Sequence, residues 1–130
     1  MIAESILCLA LNIYFEARSE DIASQLAVAQ VTINRVEDSR YPNDVCRVVK
    51  QKNQFSWFWD GKSDKPYERQ AWDQALDLAE RVIKEPKQYQ VSCVGDATHY
   101  HAVYVKPHWA KHFKKYCRIG SHIFYRDEGA

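Results

Sequence analysis

The stretch NIYFEARSED, residues 12–21, sets one glutamate, Glu16, between an aromatic pair and Arg18, with Glu20 and Asp21 close behind. On a helix running through it, Glu16 shares a stripe with Ile13, Asn12 and Leu9, which precede it by three, four and seven positions. Such a carboxyl faces packing instead of open water. Desolvation disfavours its charged form and raises its pKa, which a general acid needs in order to hold a proton near neutral pH. Arg18 and the start of a following helix oppose this by favouring the ionised form, and Glu20 and Asp21 partly cancel that field. The spacing leaves two readings open, an acid kept for chemistry and an ordinary helix-end carboxylate.

Two other groupings carry possible chemistry. The histidines are His99, His101, His108, His112 and His122. The segment HWAKH, 108–112, has the i, i+4 spacing of two metal ligands, but it lacks the glutamate next to the first histidine that a zinc protease helix uses as its base, so no metal or cofactor is expected. His99 and His101, alternating around Tyr100, suit hydrogen-bonding groups lining a cleft. The third grouping is aromatic: QFSWFW, HYH, PHW and FY. Four tryptophans and eight tyrosines exceed what a core of this size needs, and sugar rings dock on such faces by apolar contact while polar tips bond hydroxyls. Core packing accounts for about half of these rings.

The elements that must position these groups follow from periodicity. Residues 4–17 carry apolar side chains at helical spacing and predict a largely buried helix. Ser19 is placed to cap a second helix, with Glu20 and Asp21 in its first turn and Ile22, Leu26, Ala29, Ile33 and Val36 as its core stripe. SRYPND breaks the pattern, and VCRVVKQ reads as a short helical or extended piece. Residues 52–66 are turn-like but crowded with aromatics, which suggests a substrate-facing loop. Pro66 suits the first turn of a long helix patterned by Ala71, Trp72, Ala75, Leu76, Ala79, Val82 and Ile83 and stopped by Pro86. Beyond it, THYHAVYV alternates in places, and YCRIGSHIFYR reads as two short strands around a Gly-Ser turn. The prediction is an α+β domain, mainly helical, with a small antiparallel sheet near the C-terminus.

At 130 residues the chain is read as one domain, 1–130, long enough to bury a core without metals or staples. A net charge of +1 gives no support to a nucleic-acid protein. Between Lys106 and Arg118 there are five Lys or Arg and no acid, which serves either as a solvated face or as an anion-binding one. Cys8, Cys46, Cys93 and Cys117 form no C-x-x-C pair; they are either thiols or two disulfides with three possible pairings. The opening MIAESILCLALNIYF has no basic residue before Arg18 and reads as a helix of the fold, not a signal peptide, and no run approaches the roughly 18 apolar residues of a membrane span.

Together the segments YFEARSE (14–20), QLAVAQVTINRV (25–36), YPNDVCRVVKQKNQFSW (41–57), ATHYHAVYVKPHW (97–109) and IGSHIFYR (119–126) resemble the cell wall hydrolases of the spore cortex-lytic enzyme type, in order and over nearly the whole chain. The resemblance implies a lysozyme-like fold acting on peptidoglycan glycan strands, with Glu16 as the catalytic acid. It further implies a lytic transglycosylase, in which the muramic acid's own C6 hydroxyl attacks the anomeric carbon and no second carboxylate is needed. Glu20, Gln54, Phe55, Ser56, Tyr100, His101, Trp109 and His122 become substrate-binding residues by the same resemblance. One departure is Ser19, where the family usually has glycine.

A monomer is expected, with peptidoglycan as partner and neither nucleic acid nor membrane insertion. A chain opening this close to its catalytic segment suits a bacteriophage endolysin made in the cytoplasm, or a trimmed secreted enzyme; either acts on the cell wall. Neutralising Lys111, Lys114 and Lys115 is expected to weaken salt-sensitive docking on anionic envelope polymers. The alternatives are a water-admitting muramidase using Asp21 or Asp44 as second acid, a zinc peptidase, and a nucleic-acid-binding module.

Overall fold

The computed structural model describes residues 2–51 and 68–129. Helix α1, Ile2–Ala17, buries Leu9, Ala10, Ile13, Tyr14 and Ala17, a double stripe of the expected helical spacing. Helix α2, Ile22–Glu37, begins two residues later than the sequence suggested. Its cap is Asp21, whose Oδ1 accepts from Ser24 N at 3.0 Å, not Ser19. A carboxylate at this position satisfies an amide that the helix cannot bond internally. Of the expected core stripe, Leu26, Ala29, Ile33 and Val36 pack in or against the helical cluster and Ile22 does not. Ile22 is 49% exposed, whereas Ala27, Val28 and Val31 are fully buried. The reason is that α2 is buried on two faces, so one stripe describes only half of it.

Helix α3, Val45–Lys50, is capped by Asp44, which accepts from Arg47 N at 2.9 Å. Helix α4, Arg69–Lys84, ends before Pro86 as expected and buries Ala75, Leu78, Ala79 and Val82. Three strands follow: β1, His99–Ala102; β2, Lys114–Ile119; and β3, His122–Arg126. They form an antiparallel sheet in the order β1-β3-β2, and a 3-10 helix, His108–Lys111, lies between β1 and β2. THYHAVYV is thus a strand only over 99–102. The β2–β3 turn is built on Gly120, at φ +55°, where a Cβ would strike Ser24 Oγ and Glu20 Oε1. The mainly helical α+β domain with a C-terminal antiparallel sheet is therefore observed.

Two apolar clusters hold these layers. One joins α1, α3 and α4 with part of α2 around Leu9, Ile13, Val49, Ala79 and Val82. The other joins α2 to the sheet through Val28, Val31, Val94, Ala97 and Phe124. Each is stapled by a disulfide, Cys8–Cys46 in the first and Cys93–Cys117 in the second, with Cα–Cα distances of 5.2 and 6.1 Å. Among the described residues no helix is long and apolar enough to cross a membrane.

Candidate active site

Glu16 occupies the last turn of α1, where that helix passes from the helical cluster toward the sheet. It lines a cavity of about 440 Å³ together with Phe15, Tyr100, His101, Trp109 and His122. The loop after β1 completes the wall with Tyr104, Val105 and Pro107. Among the described lining residues Glu16 is the only carboxylate. Burial raises its pKa to about 7, against a smaller lowering by a hydrogen bond from the Tyr100 hydroxyl. That bond falls short of full hydrogen-bond geometry, since Tyr100 Oη makes none among the described residues. A carboxyl so placed is half protonated near neutrality, poised to give a proton and take one back.

The sheet brings in the other groups from its two faces. Tyr100 and His122 lie on the face turned to the helices, their rings 5.5 Å apart in a T-shaped contact. His122 is only 6% exposed, and its Nδ1 has no hydrogen bond among the described residues. Burial pushes its pKa down; Glu20 pulls it up and His101 pushes it further down. The imidazole is thus held neutral, able to exchange a hydrogen bond without bringing a charge to Glu16.

On the opposite face His101 Nδ1 donates to Ala102 O at 2.7 Å. A carbonyl can only accept, so in the neutral ring Nε2 accepts from the Tyr125 hydroxyl, 2.9 Å away. Trp109 stands edge-on to His101 and Tyr125, with centroids 5.6 and 5.2 Å away, and stacks on Phe113. Its indole is therefore a fixed wall of the cavity. His99, by contrast, is buried against both Trp109 and Phe113 and does not line the cavity.

Glu20, expected either to bind substrate or to steady the first turn of α2, lies just before that helix. Its Oε1 accepts from Ser121 N at 2.8 Å, so it clasps the β2–β3 turn that leads into His122. It is absent from the cavity wall among the described residues. Gln54, Phe55, Ser56 and the aromatic stretch around them lie outside the described residues. Asp21 and Asp44, the two acids considered for a second carboxylate, are both spent as helix caps.

Sequence reasoning missed Phe15, Tyr104, Val105 and Pro107 in the wall, and the polar groups packed behind it. Arg35 is the clearest of these. It is 2% exposed and falls on the buried stripe of Val28 and Val31, a charged residue where periodicity calls for an apolar one. His108 and His112 have ring centroids 5.5 Å apart, and no group of three metal-ligating side chains occurs among the described residues. Lys111, Lys114 and Lys115 are exposed on the 3-10 helix and β2.

The cell wall hydrolase family profile matches residues 19–125, and the chain belongs to that family. Two solved structures are similar over almost all of it. The catalytic domain of the germination-specific lytic transglycosylase SleB from Bacillus anthracis is 27% identical with a TM-score of 0.71, covering 94% of this chain and 93% of that one. The catalytic domain of the Bacillus cereus SleB protein is 26% identical with a TM-score of 0.68, covering 95% and 91%. No curated protein sequence matches. Glu16 lies just before the profile match, so its role rests on the geometry above.

Proposed function

We propose that this protein cleaves peptidoglycan glycan strands between N-acetylmuramic acid and N-acetylglucosamine as a lytic transglycosylase, with Glu16 as general acid and base. The observation that carries the reading is Glu16 itself, a carboxyl brought to about 7 by burial in a wall of aromatic and imidazole rings. Protonated Glu16 gives its proton to the glycosidic oxygen as the bond from C1 of the muramic acid breaks. The C6 hydroxyl of the same sugar then forms the new bond to C1, and its proton passes to the Glu16 carboxylate. The acid is regenerated and no water is consumed. That Glu16 is the only carboxylate among the described lining residues suits this route, because hydrolysis by the two-acid mechanism needs a second one across the cleft. Family membership and the SleB likeness support the substrate class. Two disulfides suit work outside a reducing cytoplasm.

The test is mass spectrometry of soluble products from purified peptidoglycan, comparing wild type with Glu16→Gln. Anhydromuramic ends from wild type and none from the variant are expected. Reducing ends would instead identify a muramidase that admits water, and undiminished cleavage by Glu16→Gln would remove Glu16 from the mechanism.

A further inference from the structure

Behind Glu16, three buried polar groups from three elements lack a hydrogen bond of full geometry among the described residues: Asn12 Nδ2, Arg35 Nη2 and the Tyr100 hydroxyl. Unpaired buried donors are costly, and three gathered behind one side chain call for a function. Their neighbours fix how they are turned. Thr32 Oγ1 donates to Asn12 Oδ1 at 3.1 Å, which leaves the amide nitrogen for another partner. Arg35 Nε donates to Thr98 O at 2.7 Å, and its guanidinium lies over the Tyr41 ring at 5.0 Å. Arg35 forms no ion pair among the described residues, an expensive state for a buried cation.

These groups permit one consistent direction of hydrogen bonding. The nitrogens of Asn12 and Arg35 can only donate, the Tyr100 oxygen can accept from them, and the phenol hydrogen is then left for a carboxylate. We infer that Arg35 is a positioning residue, which together with Asn12 holds the Tyr100 hydroxyl turned onto Glu16 as the donor that steadies its carboxylate once the proton has left. This deepens the reading of Glu16 as the acid and rests on it.

The charge pattern agrees with the geometry. Burial and the Glu16 carboxylate push the Tyr100 pKa well up, while Asn12 and Arg35 pull the other way, so the phenol keeps its hydrogen. Burial lowers the pKa of Arg35, against the opposing pull of Tyr41 and Tyr100. The titratable groups that share the cavity wall are His122 from β3, held neutral by burial, and His101 from the other face of β1, while Glu20 acts on His122. Arg18 is turned away, over the Tyr14 ring and onto Glu68.

The experiment is an NMR titration of the Glu16 carboxyl in wild type, Tyr100→Phe, Arg35→Gln and the double variant, a readout that needs no turnover. Each single variant is expected to raise the titration midpoint, and the double no further than Tyr100→Phe alone, because Arg35 acts through Tyr100. Arg35→Lys, which keeps the charge but not the fork, is expected to fall between wild type and Arg35→Gln. Tyr100→Phe is expected to lower kcat about tenfold or more with KM little changed, the usual effect of losing a hydrogen bond to a charged group. An unchanged midpoint in Tyr100→Phe, or shifts that add in full, would overturn the inference. If Arg35→Gln does not fold, Tyr100→Phe and Arg35→Lys still decide it. Failure of the acid assignment looks different: the midpoints move as described while Glu16→Gln retains activity.

Discussion

The two halves of α1 differ in kind. Through its middle the helix packs Leu9 and Ala10 into an apolar cluster and is pinned by Cys8 to α3. Toward its end the same helix carries Asn12 and Glu16 against a sheet, with polar groups left short of partners. The first half resembles any well-packed core. The second leaves buried polar groups short of partners around one carboxyl whose pKa burial raises to about 7. Apolar packing and a polar cluster short of partners thus occupy successive stretches of a single helix.

That contrast can be tested by breaking each half in turn. The largest effect falls on the site: Glu16→Gln is expected to reduce lytic activity about 10²- to 10⁴-fold, the usual worth of a positioned general acid, measured as product release from purified walls. In the packed half, Leu9→Ala should cost about 2–5 kcal/mol in urea unfolding, nearly the same from roughly pH 5 to pH 8, since no titrating group is involved.

The reactive half should show the opposite pattern. A carboxyl whose folded pKa is raised from 4.5 to about 7 contributes its full stability below the lower value and loses it as pH rises through the upper one. Glu16→Gln should therefore match wild-type stability at low pH and exceed it above neutrality, by about 3 kcal/mol. Equal unfolding free energies at high pH would mean that burial does not strain this carboxyl. The smallest effect belongs to the β2–β3 turn that Glu20 clasps: Gly120→Ala should cost about 1–2 kcal/mol in thermal unfolding, from its positive φ and the crowding by Ser24 and Glu20.

Much of this arrangement is legible in local sequence. The apolar spacing of residues 4–17 predicts α1 and the direction in which Glu16 points. Pro86 marks the end of α4, and the Gly-Ser turn marks the β2–β3 hairpin. Where local reading fails, a distant partner is the cause. Ser19 and Asp21 are both good caps in isolation, and Asp21 wins because α2 starts at Ile22. Glu20 looks like a first-turn acid until Ser121, remote in sequence, supplies its hydrogen bond. Periodicity finds one face of α2 and misses the other, because a helix packed on two sides no longer displays a single stripe.

By itself the sequence determined what depends on neighbours a few residues apart: the helix that carries Glu16, its buried stripe, the hairpin and the aromatic supply. Only the tertiary structure decided what surrounds that carboxyl. It paired Cys8 with Cys46 and Cys93 with Cys117, sent Asp21 and Asp44 to helix ends, and set Tyr100 and His122 in the cavity with Arg35 packed behind. The reason is physical: helical periodicity is written in local spacing, whereas desolvation and hydrogen-bond partnership exist only once remote segments close around the group.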